Sequence, residues 1–309
     1  DLLIVQNALT IPLNIPLGLA LTEIVMETGI ATIAHHHDFF WERRQFLSNA
    51  AWDYLSTAFP PNLSHVRHVV INSSADHQLS LRTGISATII PNVMDFENPP
   101  PQLDEYSCDV RKALGVEDDE YLILQPTRVV KRKGIEHAIE LTRLLNVKAK
   151  LVVSHASGDE GHEYECHLRR YSERMKVQTI FVSNRINYRR GLSDNGEKIY
   201  TLFDVYPHAD FVTYPSTIEG FGNAFLETVY FRKPIMINLY SIYAYDIKPR
   251  GFKAVEIDGY VTENTVRDVK RLLEKPELHK EMTETNYKLA TRYYSMSVLR
   301  KKLRNLLMD

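Results

Sequence analysis

Short apolar runs alternate with segments of helical spacing along the whole chain. Leu2–Val5 reads as a buried strand. Asn14-Ile15-Pro16 then opens a helix, and Leu17, Leu21, Ile24 and Val25 recur at helical spacing up to Gly29. Ala31–Ala34 is the next strand, Glu42 to about Leu55 a helix, and His68–Ile71 a strand running into the cap cluster Asn72-Ser73-Ser74. A helix to Gly84 and a strand over Ala87–Ile90 complete a βαβ rhythm, which predicts a parallel sheet covered on both faces.

"PNVMDFENPPPQLDEY" interrupts that rhythm. Pro91, Pro99, Pro100 and Pro101 fit neither helix nor central strand, so this stretch reads as a linker. The rhythm then restarts with strands predicted at Tyr121–Gln125, Ala149–Ser154, Thr179–Val182, Phe211–Tyr214 and Pro234–Asn238. Helices are predicted between them over Gly134–Leu145, His162–Met175, Glu197–Val205 and Asn223–Phe231. The end is helical from Glu263 to Leu306, with breaks near Pro276 and Ser295. The fold class is therefore α/β, with two doubly wound Rossmann-like domains. Asp1 runs straight into Leu2-Leu3-Ile4-Val5 with no element before it, so the first domain is expected to be incomplete. An open sheet edge there calls for cover by an oligomer mate or partner chain.

At 309 residues, 44% of them hydrophobic, the chain can bury two ordinary cores. A net charge of −2 supplies no overall basic field, so nucleic acid is not an expected partner. Cys108 and Cys166 form neither a disulfide framework nor a zinc-type pair. No apolar run approaches the roughly 20 residues of a spanning helix and no signal peptide is visible, so the expected setting is cytoplasmic, without a transmembrane segment.

In open α/β sheets ligands bind beyond the carboxyl ends of strands, and three such ends carry unusual residues. In "LQPTRVVKRKG", Arg128 and Lys133 lie five apart beside the helix opened by Gly134. Two cations and free backbone N–H groups there form a diphosphate pocket; a solvated basic turn is the plain alternative. In "YPSTIEGFGNAFLETVYFRKP", Glu219 precedes Gly220-Phe221-Gly222-Asn223, and Glu227 lies a little over one helical turn further on. The glycines permit close backbone approach, Asn223 is a suitable helix cap, and two separated carboxylates suit a polyhydroxylated ligand. A surface helix with ordinary glutamates is the alternative.

Together these phrases resemble the retaining GT-B glycosyltransferases of family four, over nearly the whole chain. The arginine–lysine pair is Arg128 and Lys133, and the Glu-x7-Glu phrase is "EGFGNAFLE", Glu219 to Glu227. An interdomain "PNG-x-D" segment appears as "PNVMDF", with Val93 in place of the usual glycine. The resemblance implies two domains facing across a cleft: a partial acceptor-side domain over 1–94, a nucleotide-sugar-binding domain over 95–290, and a C-terminal helix over 291–309 returning to the first. It also implies a UDP-, GDP- or ADP-sugar donor, an unnamed acceptor hydroxyl, retention of configuration, and no cofactor or metal. Arg128 and Lys133 would neutralise the diphosphate, with help from backbone N–H groups of Gly220, Phe221, Gly222 and Asn223. Glu219 would hold the donor sugar, Glu227 the ribose, and the loop around Asn184-Arg185-Ile186 the base. Nothing before Asp1 supplies the glycine-rich loop with which that family's first domain begins.

"IATIAHHHDFFWERR" places three histidines at a strand end. Neighbouring side chains of a strand point to opposite faces, so the run is a poor chelator, and a histidine cluster without function is the plain reading. The resemblance implies one histidine here that faces the donor, with His37 the first choice and His36 the second. Asp38 would fix its ring or face the acceptor. Trp41, Phe39 and Phe40 read as aromatic core more readily than as an acceptor platform. Two other functions remain open on sequence: a nucleotide-sugar 2-epimerase, and a nucleotide-sugar-binding fragment active only with a partner chain.

Overall fold

The computed structural model describes residues 1–158 and 161–308. They fall into two compact units, Asp1–Asn92 with Ser297–Asp309, and Val93–Met296.

The first unit holds a four-stranded parallel sheet in the order β1 (Leu2–Gln6), β2 (Ala31–His36), β3 (Val66–Val70), β4 (Ala87–Ile89). Helix α1 (Ile15–Thr28) starts where the Asn14 side chain accepts the Leu17 N–H at 3.1 Å, with Pro16 in its first turn. Alternation along the strands sorts the core. Leu3, Val5 and Ala34 pack with Val25 of α1, while Ile33, Val69 and Ile90 pack with Leu299, Leu303 and Leu306 of the last helix. The Arg67 guanidinium also donates to the Leu306 carbonyl.

Residues 42–55 do not form the continuous helix that the spacing predicts. Instead a 3-10 turn at Phe40–Glu42 is followed by the short helix α2 (Arg44–Leu47) and, after a break, by helix α3 (Trp52–Ala58). The Asn49 side chain accepts from Ala51 N at 2.9 Å and donates to the Phe46 carbonyl at 2.8 Å, so a local turn outcompetes the helix. Phe39 and Phe40 are buried, and Trp41 stacks on Phe39 at 4.4 Å between ring centroids, which makes this aromatic run core. Helix α4 (Ser73–Thr83) opens at Asn72, whose carboxamide accepts the Ala75 N–H at 2.7 Å.

The second unit opens with the proline-rich stretch, which is packed rather than loose. Phe96 is buried edge-on against Tyr230 and Tyr287, and the hydroxyl of Tyr230 donates to the Pro99 carbonyl at 3.1 Å. The chain continues through α5 (Val110–Ala113), β5 (Tyr121–Gln125), α6 (Ile135–Leu145), β6 (Ala149–Val153), α7 (Glu163–Met175) and β7 (Thr179–Phe181). Next come β8 (Gly191–Leu192), β9 (Lys198–Ile199), α8 (Leu202–Val205), β10 (Phe211–Tyr214), α9 (Asn223–Tyr230), β11 (Ile235–Asn238) and β12 (Val255–Ile257). Helices α10 (Glu263–Glu274), α11 (Pro276–Tyr294) and α12 (Met296–Met308) close the chain, with breaks at the two places the sequence indicates.

Here too one expected helix is shorter. Of Glu197–Val205 only α8 is helical, because the Asp194-Asn195-Gly196 turn folds β8 against β9 as an antiparallel hairpin. Helix α8 starts at Thr201, whose N–H donates to the Asp204 carboxylate at 2.8 Å.

The parallel sheet runs β12-β11-β10-β5-β6-β7. Its middle strands are buried on both faces; Ile123, Leu124, Leu151, Val152, Phe211 and Ile235 have no exposed surface. Each such aliphatic side chain contributes about 1.5–3 kcal/mol on burial. From β5 the chain winds outward through β6 and β7, then returns to β10 on the other side of β5 and winds the opposite way. That reversal makes the carboxyl ends of β5 and β10 a topological switch point, the place where open α/β sheets bind ligands.

Candidate functional site

The switch point in the second unit is held by a buried polar link. Thr213 Oγ1 of β10 donates to Gln125 Oε1 of β5 at 2.7 Å, and Gln125 Nε2 donates to Thr127 Oγ1 at 2.8 Å. Beyond it the two loops are interlocked. Residues Lys131–Lys133 form a 3-10 turn whose Arg132 carbonyl accepts the Thr217 N–H at 2.8 Å. Gly134 follows with φ 57°, and a Cβ there would stand 2.6 Å from the Pro215 carbonyl oxygen. Only glycine allows the β5 loop to lie so close to the β10 loop.

This places the Lys133 ammonium directly on the Glu219 carboxylate, with both side chains about nine-tenths buried, and over the Tyr214 ring at 5.5 Å. Arg132 Nη1 reaches the other Glu219 oxygen at 3.3 Å. Burial pushes the Lys133 pKa below its ordinary value, partly opposed by Glu219. Burial by itself would raise the Glu219 pKa, but the charge and hydrogen bond of Lys133 hold it below the usual carboxylate range. The pair is therefore ionised, each partner keeping the other charged in a desolvated place.

Arg128 is exposed at the rim, with Nη1 3.6 Å from where a Gly158 Cβ would stand. His155, two residues past the end of β6, lies near Arg128 and Lys133. Its Nδ1 lies 2.6 Å from Ser154 Oγ, and burial, then Arg128 and Lys133, lower its pKa. Lys133 and Arg132 thus meet on one carboxylate, while Arg128 lies close enough to Lys133 and His155 to act on both electrostatically. His155 was missed on sequence, although its position at the end of the strand beside β5 was the available signal.

Helix α9 begins at Gly222, with Asn223 as its first residue rather than its cap. Gly222 has φ 114°, and a Cβ there would meet the Tyr240 hydroxyl at 2.4 Å. A conformation closed to side chains therefore outcompetes the capping preference of Asn223. Tyr240 in turn donates to the Phe221 carbonyl at 2.9 Å, which fixes the Gly220–Gly222 backbone. Phe221 is buried edge-on against Tyr294. Glu227, in the second turn, receives a hydrogen bond from Tyr206 at 3.0 Å, and burial lifts its pKa to about 7. The loop after β7 is tied to the β8–β9 hairpin: Arg185 Nε donates to the Lys198 carbonyl at 3.0 Å, and Nη1 pairs with Glu197 at 2.8 Å.

In the first unit the histidines have separate settings. His36 is interior, with Nδ1 2.5 Å from Thr10 Oγ1 and Nε2 2.9 Å from His68 Nδ1. His68 also hydrogen-bonds the backbone of Pro61, and a proline offers only a carbonyl. For neutral rings His68 therefore donates through Nε2, accepts at Nδ1 from His36, and leaves His36 Nδ1 to accept from Thr10. Both nitrogens of His36 are committed. His37 is half-buried at the strand end, with Nε2 3.1 Å from Gln6 Oε1. Its N–H donates to Asn7 Oδ1 at 2.9 Å, and Asn7 donates on to Asp38 at 3.1 Å. Among the described residues no group of three or more His, Cys, Asp or Glu side chains could hold one metal ion. No described helix is long and apolar enough to cross a membrane.

Two parallel α/β units, one carrying basic side chains and mostly buried carboxylates at its switch point, match the fold of GT-B glycosyltransferases. The complex of Anabaena HepE with UDP-glucose superposes with a TM-score of 0.71 at 11% identity, over 96% of this chain and 77% of that one. Residues 109–289 match the family Glycosyl transferases group 1, and the chain belongs to it. Mannosylglucosylglycerate synthase of Thermotoga maritima is 31% identical over 97% of this chain and 74% of its own length. The enzyme of the same name from Petrotoga mobilis is 32% identical over 83% of this chain, which spans 64% of that protein.

Proposed function

We propose that this chain transfers a hexosyl unit from a nucleotide-diphosphate sugar to an acceptor hydroxyl with retention of configuration. The observation that supports this reading best is the buried Lys133–Glu219 pair at the switch point. It puts a cation for a diphosphate and a carboxylate for sugar hydroxyls side by side. Arg128 and Lys133 bind the diphosphate, backbone N–H groups from Gly220 to Asn223 assist at the start of α9, and Glu219 takes the donor sugar. Glu227 receives the ribose hydroxyls, the 184–186 loop the base, and His37 hydrogen-bonds a substrate hydroxyl.

The glycosidic C–O bond to the diphosphate breaks as the acceptor oxygen bonds to the same carbon from the same face. The acceptor proton passes to the leaving diphosphate oxygen. The protein's main contribution is to stabilise charge developing on that diphosphate. The names of the two synthases favour a mannosyl donor and a glucosylglycerate-like acceptor, a small hydroxylated acid. The test is incubation with GDP-mannose or UDP-glucose, with and without glucosylglycerate, followed by NMR of the anomeric proton. An acceptor-dependent product of retained configuration is expected. A donor isomerised without acceptor, or an inverted product, overturns the reading.

A further inference from the structure

Lys133 faces two demands. Its ammonium lies on Glu219, and on the donor-site reading above it is also a ligand of the diphosphate. A lysine ammonium is a single compact charge on a flexible stem, so a diphosphate draws it away from the carboxylate. Glu219, about nine-tenths buried, would then take up a proton or turn aside unless a second cation held it.

Arg132 is placed to be that cation. Its Nη1 lies 3.3 Å from Glu219 Oε2, the oxygen that Lys133 does not take, and donates to the Ile218 carbonyl at 3.2 Å. The Arg132 carbonyl accepts from Thr217 N at 2.8 Å and from Thr217 Oγ1 at 3.2 Å. One residue therefore fastens the Lys131–Lys133 turn to the loop carrying Glu219 at both its backbone and its side chain. These bonds do not depend on where the Lys133 ammonium points.

We propose that Arg132 is a positioning residue, which keeps the Glu219 carboxylate charged and aimed at the donor sugar when the diphosphate engages Lys133. Arg132 then serves recognition of the sugar and not of the nucleotide. Calorimetric titration of wild type, Arg132→Gln and Arg132→Lys with UDP, GDP, UDP-glucose and GDP-mannose separates the two roles. For Arg132→Gln the diphosphates should keep their affinity within about twofold while the preferred nucleotide sugar weakens by about tenfold or more, the worth of one charged hydrogen bond. Arg132→Lys should recover part of that loss. Equal weakening of diphosphate and nucleotide sugar would make Arg132 a phosphate ligand and overturn the proposal, as would no change in either. A wild-type protein that binds none of the four overturns the donor-site reading, and this inference with it.

Discussion

The Tyr206 hydroxyl donates to Glu227 Oε2 at 3.0 Å from a fully buried ring stacked on Phe231. One carboxylate oxygen is thereby fixed and the other left for a ligand, in a place where burial lifts the acid to about pH 7. On the proposed reading Glu227 binds the ribose hydroxyls, which an ionised carboxylate accepts well and a protonated one poorly. Nucleotide affinity should therefore rise as pH increases through about 7, with a proton released on binding. Calorimetry in buffers of different ionisation enthalpy near neutrality measures that proton. Glu227→Gln should abolish the release, and Tyr206→Phe, which removes a donor to the carboxylate, should move the midpoint upward. Proton release unchanged in Glu227→Gln would assign it to another group.

Stability depends on the same group with the opposite sign. Between pH 4.5 and about 7 an unfolded glutamate ionises while folded Glu227 keeps its proton. The folded state then binds more protons, so this residue's contribution to stability falls as pH rises through that window. Chemical unfolding of wild type and Glu227→Gln at pH 5 and pH 7.5 should show the variant gaining relative stability at the higher pH.

Lys133 and Glu219 should behave as a coupled pair. Lys133→Ala leaves a mostly buried carboxylate with only Arg132 beside it, which should cost about 2–4 kcal/mol, below the full penalty of an uncompensated buried charge. Lys133→Ala with Glu219→Gln removes both charges and should recover most of that stability. Nucleotide affinity, by contrast, should stay at least about tenfold weaker in the double variant, since on the proposed reading Lys133 binds the diphosphate. Additive melting-temperature losses would show the two residues to be energetically independent.

Much of the architecture was legible because its signals are local. An apolar run ending at Gln125, a glycine at 134 and a proline at 276 each mark a boundary with neighbouring residues alone. The 42–55 and 197–205 stretches misled because Asn49 and the 194–196 turn redirect the backbone through contacts that periodicity does not encode. Strand β12, Val255–Ile257, has a glutamate between its two apolar residues and so offers no continuous apolar run. At the switch point, residues within one contiguous phrase could be placed near one another from sequence, whereas contacts between distant segments could not. Arg132 meets Glu219 from 87 residues away, and Tyr206 meets Glu227 from outside its phrase.

Gly222 gives a stringent check on the start of α9. Gly222→Ala meets both a φ of 114° and the Tyr240 hydroxyl 2.4 Å from the new Cβ. It should destabilise by about 1–3 kcal/mol from backbone strain alone, with nucleotide binding weakened as the Gly220–Gly222 N–H groups shift. Adding Tyr240→Phe relieves the clash but not the strain, so the double variant should regain part of the melting temperature and none of the strain term. Full recovery would mean that the backbone tolerates alanine and that contact alone excludes it.

The buried histidines set the acid limit of the first unit. Burial lowers the pKa of His68 and of the partly buried His35 from 6.5 to about 4, and that of His36 well below its ordinary value. Below pH 6.5 the unfolded rings bind protons that the folded ones refuse, so stability present above that pH drains away as pH falls toward 4. For His68, a fall from 6.5 to about 4 is worth about 3 kcal/mol at most. Both tryptophans, Trp41 and Trp52, belong to this unit, so their fluorescence reports its unfolding separately from the second unit. Urea midpoints followed this way should fall between pH 7 and pH 4.5, while far-ultraviolet dichroism, dominated by the larger second unit, should fall less. His36→Ala breaks the chain from Thr10 to His68 and should lower the fluorescence midpoint at every pH. His37→Ala, half-buried at the strand end, should leave that midpoint nearly unchanged and reduce turnover instead. If His37→Ala loses stability and keeps its activity, His37 is structural and the substrate role assigned to it fails.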